Sequence, residues 1–228
     1  MYQRAEQLAG PAAVDDLHAA AALVAARRRL RDADSFRFWF SIAGRGPAGA
    51  GLNDGEPLIL AGTYVAGLAP AAVWSVTSPP SYLGRTIQYT VLDGTVWCDS
   101  GVRYWTVFEG SDAELVLGDL AALAPEQSFG YTFLDEGVDL IPAGLDHVGE
   151  LDAVRFEVAD LSTVTPTGWW AGMNGSIERM AVWITDDGVP VQAELAGTIN
   201  DGSEQGTFRL LQQLAGVDDP ANVVEPLA

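Results

Sequence analysis

Residues 36–42 read Phe-Arg-Phe-Trp-Phe-Ser-Ile, and every even-numbered position in this stretch is large and apolar. Alternation with a period of two is typical of a β-strand with one buried face. We therefore expect Phe36, Phe38 and Phe40 to face the interior of the protein, with Arg37 on the opposite side of the strand.

The chain on both sides of this stretch repeats the same kind of pattern. Further strands are predicted over residues 58–65, 71–77, 85–92, 95–99 and 102–108, and later over 154–158, 179–185, 189–198 and 206–211. Asp93-Gly94 is the strongest hairpin signal, because both residues tolerate the positive φ of a two-residue turn. Short turns between consecutive strands indicate an antiparallel meander rather than parallel βαβ units.

Helical patterns interrupt the strands at two places. One helix is predicted over about 12–31, and a second begins at 112, with a further short helix around 134–140. Val14, Leu17, Ala21 and Val24 share one face of the first helix, and Leu115, Leu117, Leu120 and Leu123 recur among good helix formers in the second, over 112–123. The arginines near the end of the first helix complement its dipole, and anionic lipid headgroups are the alternative partner for them.

This order predicts an α+β fold with a single curved antiparallel sheet. About ten strands in one run must curl, and the helices are then expected to cover the concave face. We expect one domain over residues 1–228. Its parts are an N-terminal helix at 12–31, sheet at 35–108, helical cover at 112–145, sheet at 146–215 and an extended tail at 216–228.

Composition excludes several classes of function. The 228 residues include 31 acidic and 12 basic side chains, all of the latter arginine, for a net charge of −19. A nucleic-acid partner is not expected, since phosphate binding requires clustered cations. The single cysteine, Cys98, excludes an internal disulfide and a cysteine-based metal cluster. We expect no metal and no cofactor.

The residue patterns also give no sign of catalysis. His18 and His147 lack the grouped nucleophile and base that an active site requires, so structural or solvent-facing histidines are the better interpretation. Cys98 on a short strand is interpreted as a small buried hydrophobe. Aspartates and asparagines cluster mainly in turns, where turn geometry explains them. The protein is predicted not to be an enzyme.

The aromatic load of the strands is the most unusual feature, with seven Trp, eight Phe and six Tyr. A concave apolar face under a thin layer of helices leaves room for a ligand. The side chains predicted to line this cavity are Phe36, Phe38, Phe40, Trp74, Tyr89, Phe156, Met180 and Val182. Trp169, Trp170 and Met173 are placed at its mouth, with the equally weighted alternative that both tryptophans plug the end of the sheet.

Three segments carry a family resemblance. Residues 33–44, 89–97 and 182–191 resemble the opening strand, a central hairpin and the penultimate hairpin of LolA-like lipoprotein-carrier domains, especially the LppX/LprG branch. The order of elements agrees over about 12–225. The resemblance implies an eleven-stranded half-barrel that binds acyl chains outside the cytoplasm.

The resemblance also carries implications for particular residues. It implies a lipid-anchored cysteine upstream of Met1, so the protein is expected to be a lipoprotein whose signal and anchor precede this sequence. LolA itself uses an arginine on its sheet, and Arg37, Arg103 and Arg179 are its possible counterparts in this chain.

The resulting hypothesis is a non-catalytic carrier of lipid or acyl chains in the periplasm or cell envelope. Its expected partners are the lipid ligand and, beyond it, a membrane surface or a lipoprotein. The alternative is a β-sheet scaffold or interaction domain of the envelope with a filled core, and a weaker one is a hydrolase with dispersed carboxylates. The sequence leaves the ligand, the partner protein and the oligomeric state open.

Overall fold

The computed structural model describes residues 16–45, 56–79, 83–101, 106–123, 138–164, 175–200 and 205–225. Two α-helices are present in these ranges, α1 (Asp16–Arg31) and α2 (Gly110–Leu123). The strands are β1 (Ser35–Arg45), β2 (Leu58–Val65), β3 (Ala71–Thr77), β4 (Thr86–Leu92), β5 (Thr95–Asp99), β6 (Thr106–Phe108), β7 (Leu140–Val148), β8 (Leu151–Val158), β9 (Gly175–Ile184), β10 (Pro190–Asn200) and β11 (Gln205–Ala215). None of the described helices is long and apolar enough to span a bilayer.

All eleven strands form one open sheet in the order β6-β5-β4-β3-β2-β1-β11-β10-β9-β8-β7. Each strand pairs antiparallel with its neighbours. Two meanders, β1–β6 and β7–β11, are joined where β1 pairs with β11 along most of its length. The predicted single antiparallel sheet of ten to eleven strands is confirmed.

The turns that join the strands follow the predicted chemistry. Asp93 and Gly94 both have positive φ, at 50° and 74°, and connect β4 to β5 as a hairpin. Gly188 has φ 78° in the turn between β9 and β10. A Cβ atom added at Gly188 would lie 2.4 Å from the Cβ of Ala25, so this turn packs directly against α1. Glycine is required there for both backbone conformation and space.

The register of β1 is as predicted. Phe36 is fully buried, and Phe38, Phe40 and Ile42 are partly buried against the same hydrophobic cluster. Arg37 is exposed on the other side of the strand. The even-numbered positions of this strand therefore face the core, as their alternation indicates.

The predicted start of the second half of the sheet is wrong. Residues 140–145 were expected to belong to the helical cover, but β7 already begins at Leu140 and pairs with β8. The register shifts between Pro142 and Gly144, and Gly144 has φ 126°. This bulge interrupts the period of two, which hides the strand in the sequence. Of the short helix expected at 134–140, residues 134–137 lie outside the described residues, and the described residues 138–140 are not helical.

The buried sides of the helices follow the apolar pattern only in part. Among the side chains of α1 whose burial is described, Ala22, Ala26 and Leu30 are buried, whereas Val24 is 64% exposed. In α2, Leu120 is buried and Leu117 packs against the core, Val116 is buried as well, and Leu115 is 71% exposed. The sequence 19–26 is almost continuously apolar and rich in alanine, so several faces satisfy the helical period equally well and packing selects among them.

The segment after β11 is held in place and does not simply lie over the surface. Asp218 donates its backbone N–H to the Ser35 carbonyl at 2.8 Å, and its carboxylate accepts the Asp34 N–H, also at 2.8 Å. Asn222 is buried, and its side-chain amide donates to Ser35 Oγ and to the Gly216 carbonyl. The described part of the tail thus fastens the junction between α1 and β1.

Close approach of β2 and β3 gives a test of the sheet geometry. A Cβ atom at Gly62 would lie 2.2 Å from the Val73 carbonyl oxygen, so Gly62→Ala must displace backbone. We expect a loss of about 1–3 kcal/mol in the free energy of unfolding, measured by urea titration. Gly118→Ala is the control, because no atom lies within 4 Å of an added Cβ. In the middle of α2, Gly118→Ala should raise the free energy of unfolding by about 0.5–1 kcal/mol. Equal effects of the two substitutions would contradict this close approach.

Candidate functional site

One hydrophobic cluster joins both helices to one face of the sheet. Ala22, Ala26 and Leu30 of α1 and Val116 and Leu120 of α2 belong to it. The eight predicted cavity residues all lie in the cluster or pack against it: Phe36, Trp74, Phe156, Met180 and Val182 are buried, and Phe38, Phe40 and Tyr89 are partly buried. The structure therefore brings together side chains from strands that are far apart in sequence. We call this surface the apolar face.

Aromatic rings on β1 to β6 form much of the apolar face. Phe36 stacks on Tyr64 with ring centroids 5.3 Å apart. Trp74 stacks on Tyr89, also at 5.3 Å, and Tyr89 meets Phe108 edge to face at 6.4 Å. Offset stacks and edge contacts of this kind add to the gain from burial alone. Tyr64 was not among the predicted cavity residues, although its place in the alternation of residues 58–65 could have revealed it.

Burial changes along the strands of the apolar face. The cross-strand neighbours Phe36, Tyr64, Ala72 and Val91 form a proximal row, and each is at most 5% exposed. A distal row consists of the cross-strand neighbours Phe40, Leu60, Val76 and Ile87, and each is only half-buried.

The two rows are separated by four residues along β1, or about 13 Å. The proximal row lies at the end of the sheet where α1 passes into β1, because Phe36 follows directly on that junction. On β1 to β4 the apolar face is therefore closed near α1 and half-exposed further away.

The opposite face of the sheet carries a ladder of ion pairs. Glu157 contacts Arg179 at 3.8 Å, Arg179 contacts Glu194 at 3.6 Å, and Glu194 accepts a hydrogen bond from Arg209 Nε at 2.7 Å. Glu194 is 5% exposed, and its carboxylate is paired with both arginines, as a buried charge requires.

Two of the three arginines suggested by the family resemblance lie on this opposite face. Arg179 adjoins the buried Met180 in β9 and takes part in the ladder. Arg37 is 3.6 Å from Asp219 in the tail. Arg103 lies outside the described residues. Neither described arginine thus shares a side of its strand with the apolar face.

The reactive groups of the described chain do not form a catalytic arrangement. His147 is exposed near the end of β7, opposite Asp152 of β8, with Nδ1 2.6 Å from Asp152 Oδ1. Burial, reinforced by the charge of Asp99, raises the pKa of the Cys98 thiol, which therefore stays protonated at neutral pH. No group of three or more His, Cys, Asp or Glu side chains that could hold a metal occurs within the described ranges.

The predicted mouth of the cavity falls on residues that the structure does not describe. Trp169, Trp170 and Met173 are among them, so their role as a mouth remains a prediction. A further side chain of the apolar face, Gln212 on β11, was missed in the sequence. Its polarity interrupts the alternation, and the last strand was predicted to end at 211, whereas it continues to Ala215.

Comparison with known proteins places this architecture among solved folds. No protein-family model and no curated protein matches the sequence. LprF from Mycobacterium bovis superposes with a TM-score of 0.63 at 13% identity, covering 96% of this chain and 99% of that chain. The lipoprotein LppX from Mycobacterium tuberculosis superposes with a TM-score of 0.52 at 17% identity, covering 92% of this chain and 100% of that one.

The chain has the fold of LprF and LppX. At these identities the similarity is one of fold, and it spans nearly the whole of both relatives. The resemblance to the LppX/LprG branch noted in residues 33–44, 89–97 and 182–191 is thereby confirmed at the level of the fold.

The reactivity of the Cys98 thiol tests whether this side chain is buried in the folded protein. Since the thiol is buried and its pKa is raised, the native protein should react with a thiol reagent such as iodoacetamide at least about tenfold more slowly than an exposed cysteine at pH 8. Ser111→Cys on the exposed start of α2 supplies that comparison in the same molecule. Mass spectrometry of labelled peptides measures both rates. Rapid labelling of Cys98 in folded protein would show that it is an accessible thiolate.

Proposed function

We propose that this protein binds the acyl chain of a lipid or lipoprotein and carries it without chemical change. The sheet is proposed to curve as a half-barrel within a single domain, with the helices covering its concave side and the ligand held between them. The observation that supports this best is the division of the apolar face into a closed proximal row and a half-exposed distal row.

The distal row has the chemistry that an acyl chain needs. Phe40, Leu60, Val76 and Ile87 present only hydrocarbon side chains, and each keeps part of its surface accessible. Burial of an acyl chain contributes about 0.8 kcal/mol per methylene, so a long chain can bind there without polar recognition. The buried proximal row then limits how deep the chain can enter.

The proposed location and partners rest on the fold. LppX is a lipoprotein by name, and its fold spans nearly the whole of this chain. We therefore propose an extracytoplasmic site of action in the cell envelope, with a membrane surface or a lipoprotein as the source or acceptor of the ligand. Trp169, Trp170 and Met173 are proposed to form the mouth of the cavity, where amphipathic rings suit passage of a lipid.

A scaffold domain with a filled core is the second candidate, and one observation favours it. Phe36, Trp74, Phe156, Met180 and Val182, five of the eight predicted cavity residues, are at most 3% exposed. Side chains buried to this degree already contact other protein atoms and act as core. If the protein is a carrier, its ligand must contact the half-buried residues, chiefly Phe40 and Tyr89. Substitutions at these two positions therefore distinguish a carrier from a scaffold domain.

Charge introduced on the half-buried part of the apolar face should abolish binding. Phe40→Glu and Tyr89→Glu each place a carboxylate where the acyl chain would lie, and its desolvation should weaken binding of a fluorescent fatty acid at least about tenfold. Titration of the fluorescent ligand measures the affinity. Thr207→Glu is the matched control, because it adds the same charge at an exposed site on the opposite face, across from Arg45.

Circular dichroism melts establish that each variant is folded before binding is compared. Native mass spectrometry of the purified wild-type protein should in addition reveal co-purified lipid. Absence of saturable binding by the wild-type protein would reject the carrier and leave the scaffold domain. Unchanged binding in both glutamate variants would place any lipid site elsewhere.

A further inference from the structure

Gln212 is a polar side chain placed within the apolar face. It pairs with Phe40 on β1 and with Ala193 on β10, and cross-strand partners share one side of a sheet. Leu210 and Leu214, two residues away on either side, are buried in the hydrophobic cluster. The side chain of Gln212 therefore points to the same side as the distal row and extends that row onto β11.

The carbonyl oxygen of this amide has no hydrogen-bond partner. Gln212 Oε1 is buried, and none of the contacts of the described chain supplies a donor to it. The neighbouring Gln213 on the opposite face differs, since its Nε2 donates to Gln192 Oε1 at 2.8 Å. Gln213 thus makes a side-chain hydrogen bond on the opposite face, whereas the amide oxygen of Gln212 has no partner and lies on the apolar face.

The unpaired amide oxygen of Gln212 needs a physical explanation. Buried polar groups nearly always have a partner, and leaving one unpaired costs about 1–3 kcal/mol. A methionine or leucine at this position would avoid that cost and match the surrounding residues. An amide retained among apolar side chains is explained if a donor reaches it when the site is filled.

The position of Gln212 on the sheet fits this reason. On one side it adjoins the half-buried Phe40, at the end of the distal row. On the other side it adjoins Ala193, which with Val182 and Phe156 forms a fully buried stretch across β10, β9 and β8. The amide lies where the half-exposed part of the apolar face meets the closed part.

We infer that Gln212 Oε1 accepts a hydrogen bond from the polar group of the bound lipid. The ligand is then an acyl amphiphile whose head or linkage carries an O–H or N–H donor, such as the hydroxyl of a glyceride or the N–H of an amide-linked chain. Lipids with only acceptor oxygens gain nothing from this contact. This inference rests on the proposed function and specifies the ligand class of the same site.

Two ligands that differ in donors test the inference. 1-Monooleoylglycerol and methyl oleate share the acyl chain and the ester carbonyl, but only the former has hydroxyl donors. Each is titrated as a competitor of a bound fluorescent fatty acid. The wild-type protein should prefer monooleoylglycerol about tenfold, the worth of one hydrogen bond to an otherwise unpaired buried acceptor.

Substitutions test whether Gln212 causes the preference for monooleoylglycerol. Gln212→Met keeps the length of the side chain and removes the amide, so it should abolish the preference for monooleoylglycerol over methyl oleate. Gln213→Met makes the same change on the opposite face and should retain the preference. Thermal melting checks the fold of each variant. Gln212→Leu provides a second apolar replacement if methionine disturbs the packing.

The outcomes separate this inference from the proposal on which it rests. Failure of the wild-type protein to bind either competitor in a saturable manner would overturn the carrier itself. Saturable binding of both ligands with the same ratio in wild type and Gln212→Met would overturn only the role of Gln212, as expected if a water molecule satisfies its amide. Loss of the preference in Gln213→Met as strongly as in Gln212→Met would also overturn it.

Discussion

Antiparallel pairing of β1 with β11 is the interaction on which the rest of the structure depends. It brings together residues such as Phe38 and Leu214, which lie near opposite ends of the chain, and merges two meanders into one sheet. A slip of one residue in this pairing would turn the phenylalanines of β1 away from the core formed by β9 to β11. The contacts of the tail with Ser35 and Asp34 fasten the start of β1, where this register is set.

The two faces of the sheet have different chemistry because alternate residues of a strand point to opposite sides and cross-strand partners share a side. The ion-pair ladder runs from Glu157 to Arg209 on one face, while Met180 and Leu195 on the same strands are buried on the other. The ladder satisfies the buried carboxylate of Glu194, so the charges stay paired on their own side. The apolar face is thereby left as a nearly continuous hydrocarbon surface, against which the amide of Gln212 stands out.

The apolar face is unequally buried. α1 lies against the turn between β9 and β10, where Gly188 meets Ala25 closely, and it contributes Ala26 and Leu30 to the buried cluster. The residues of the proximal row are at most 5% exposed, whereas Phe40 and its neighbours in the distal row are only half-buried. This difference along the strands distinguishes the apolar face from a uniformly buried core.

The sequence by itself determined most of the strands, the hairpin turn at residues 93–94 and the side of β1 that faces the core. The alternation of residues 36–42 and the pair Asp93-Gly94 suffice for this, because backbone geometry ties period and turn type to local residue choice. The local pattern did not identify the buried face of the alanine-rich α1, because several of its faces are equally apolar. It also did not identify the start of β7, because Pro142 and a bulge interrupt the alternation there. Only the tertiary structure decided that Gln212 faces hydrocarbon without a partner, because hydrogen bonding of a side chain depends on strands brought together from distant parts of the chain.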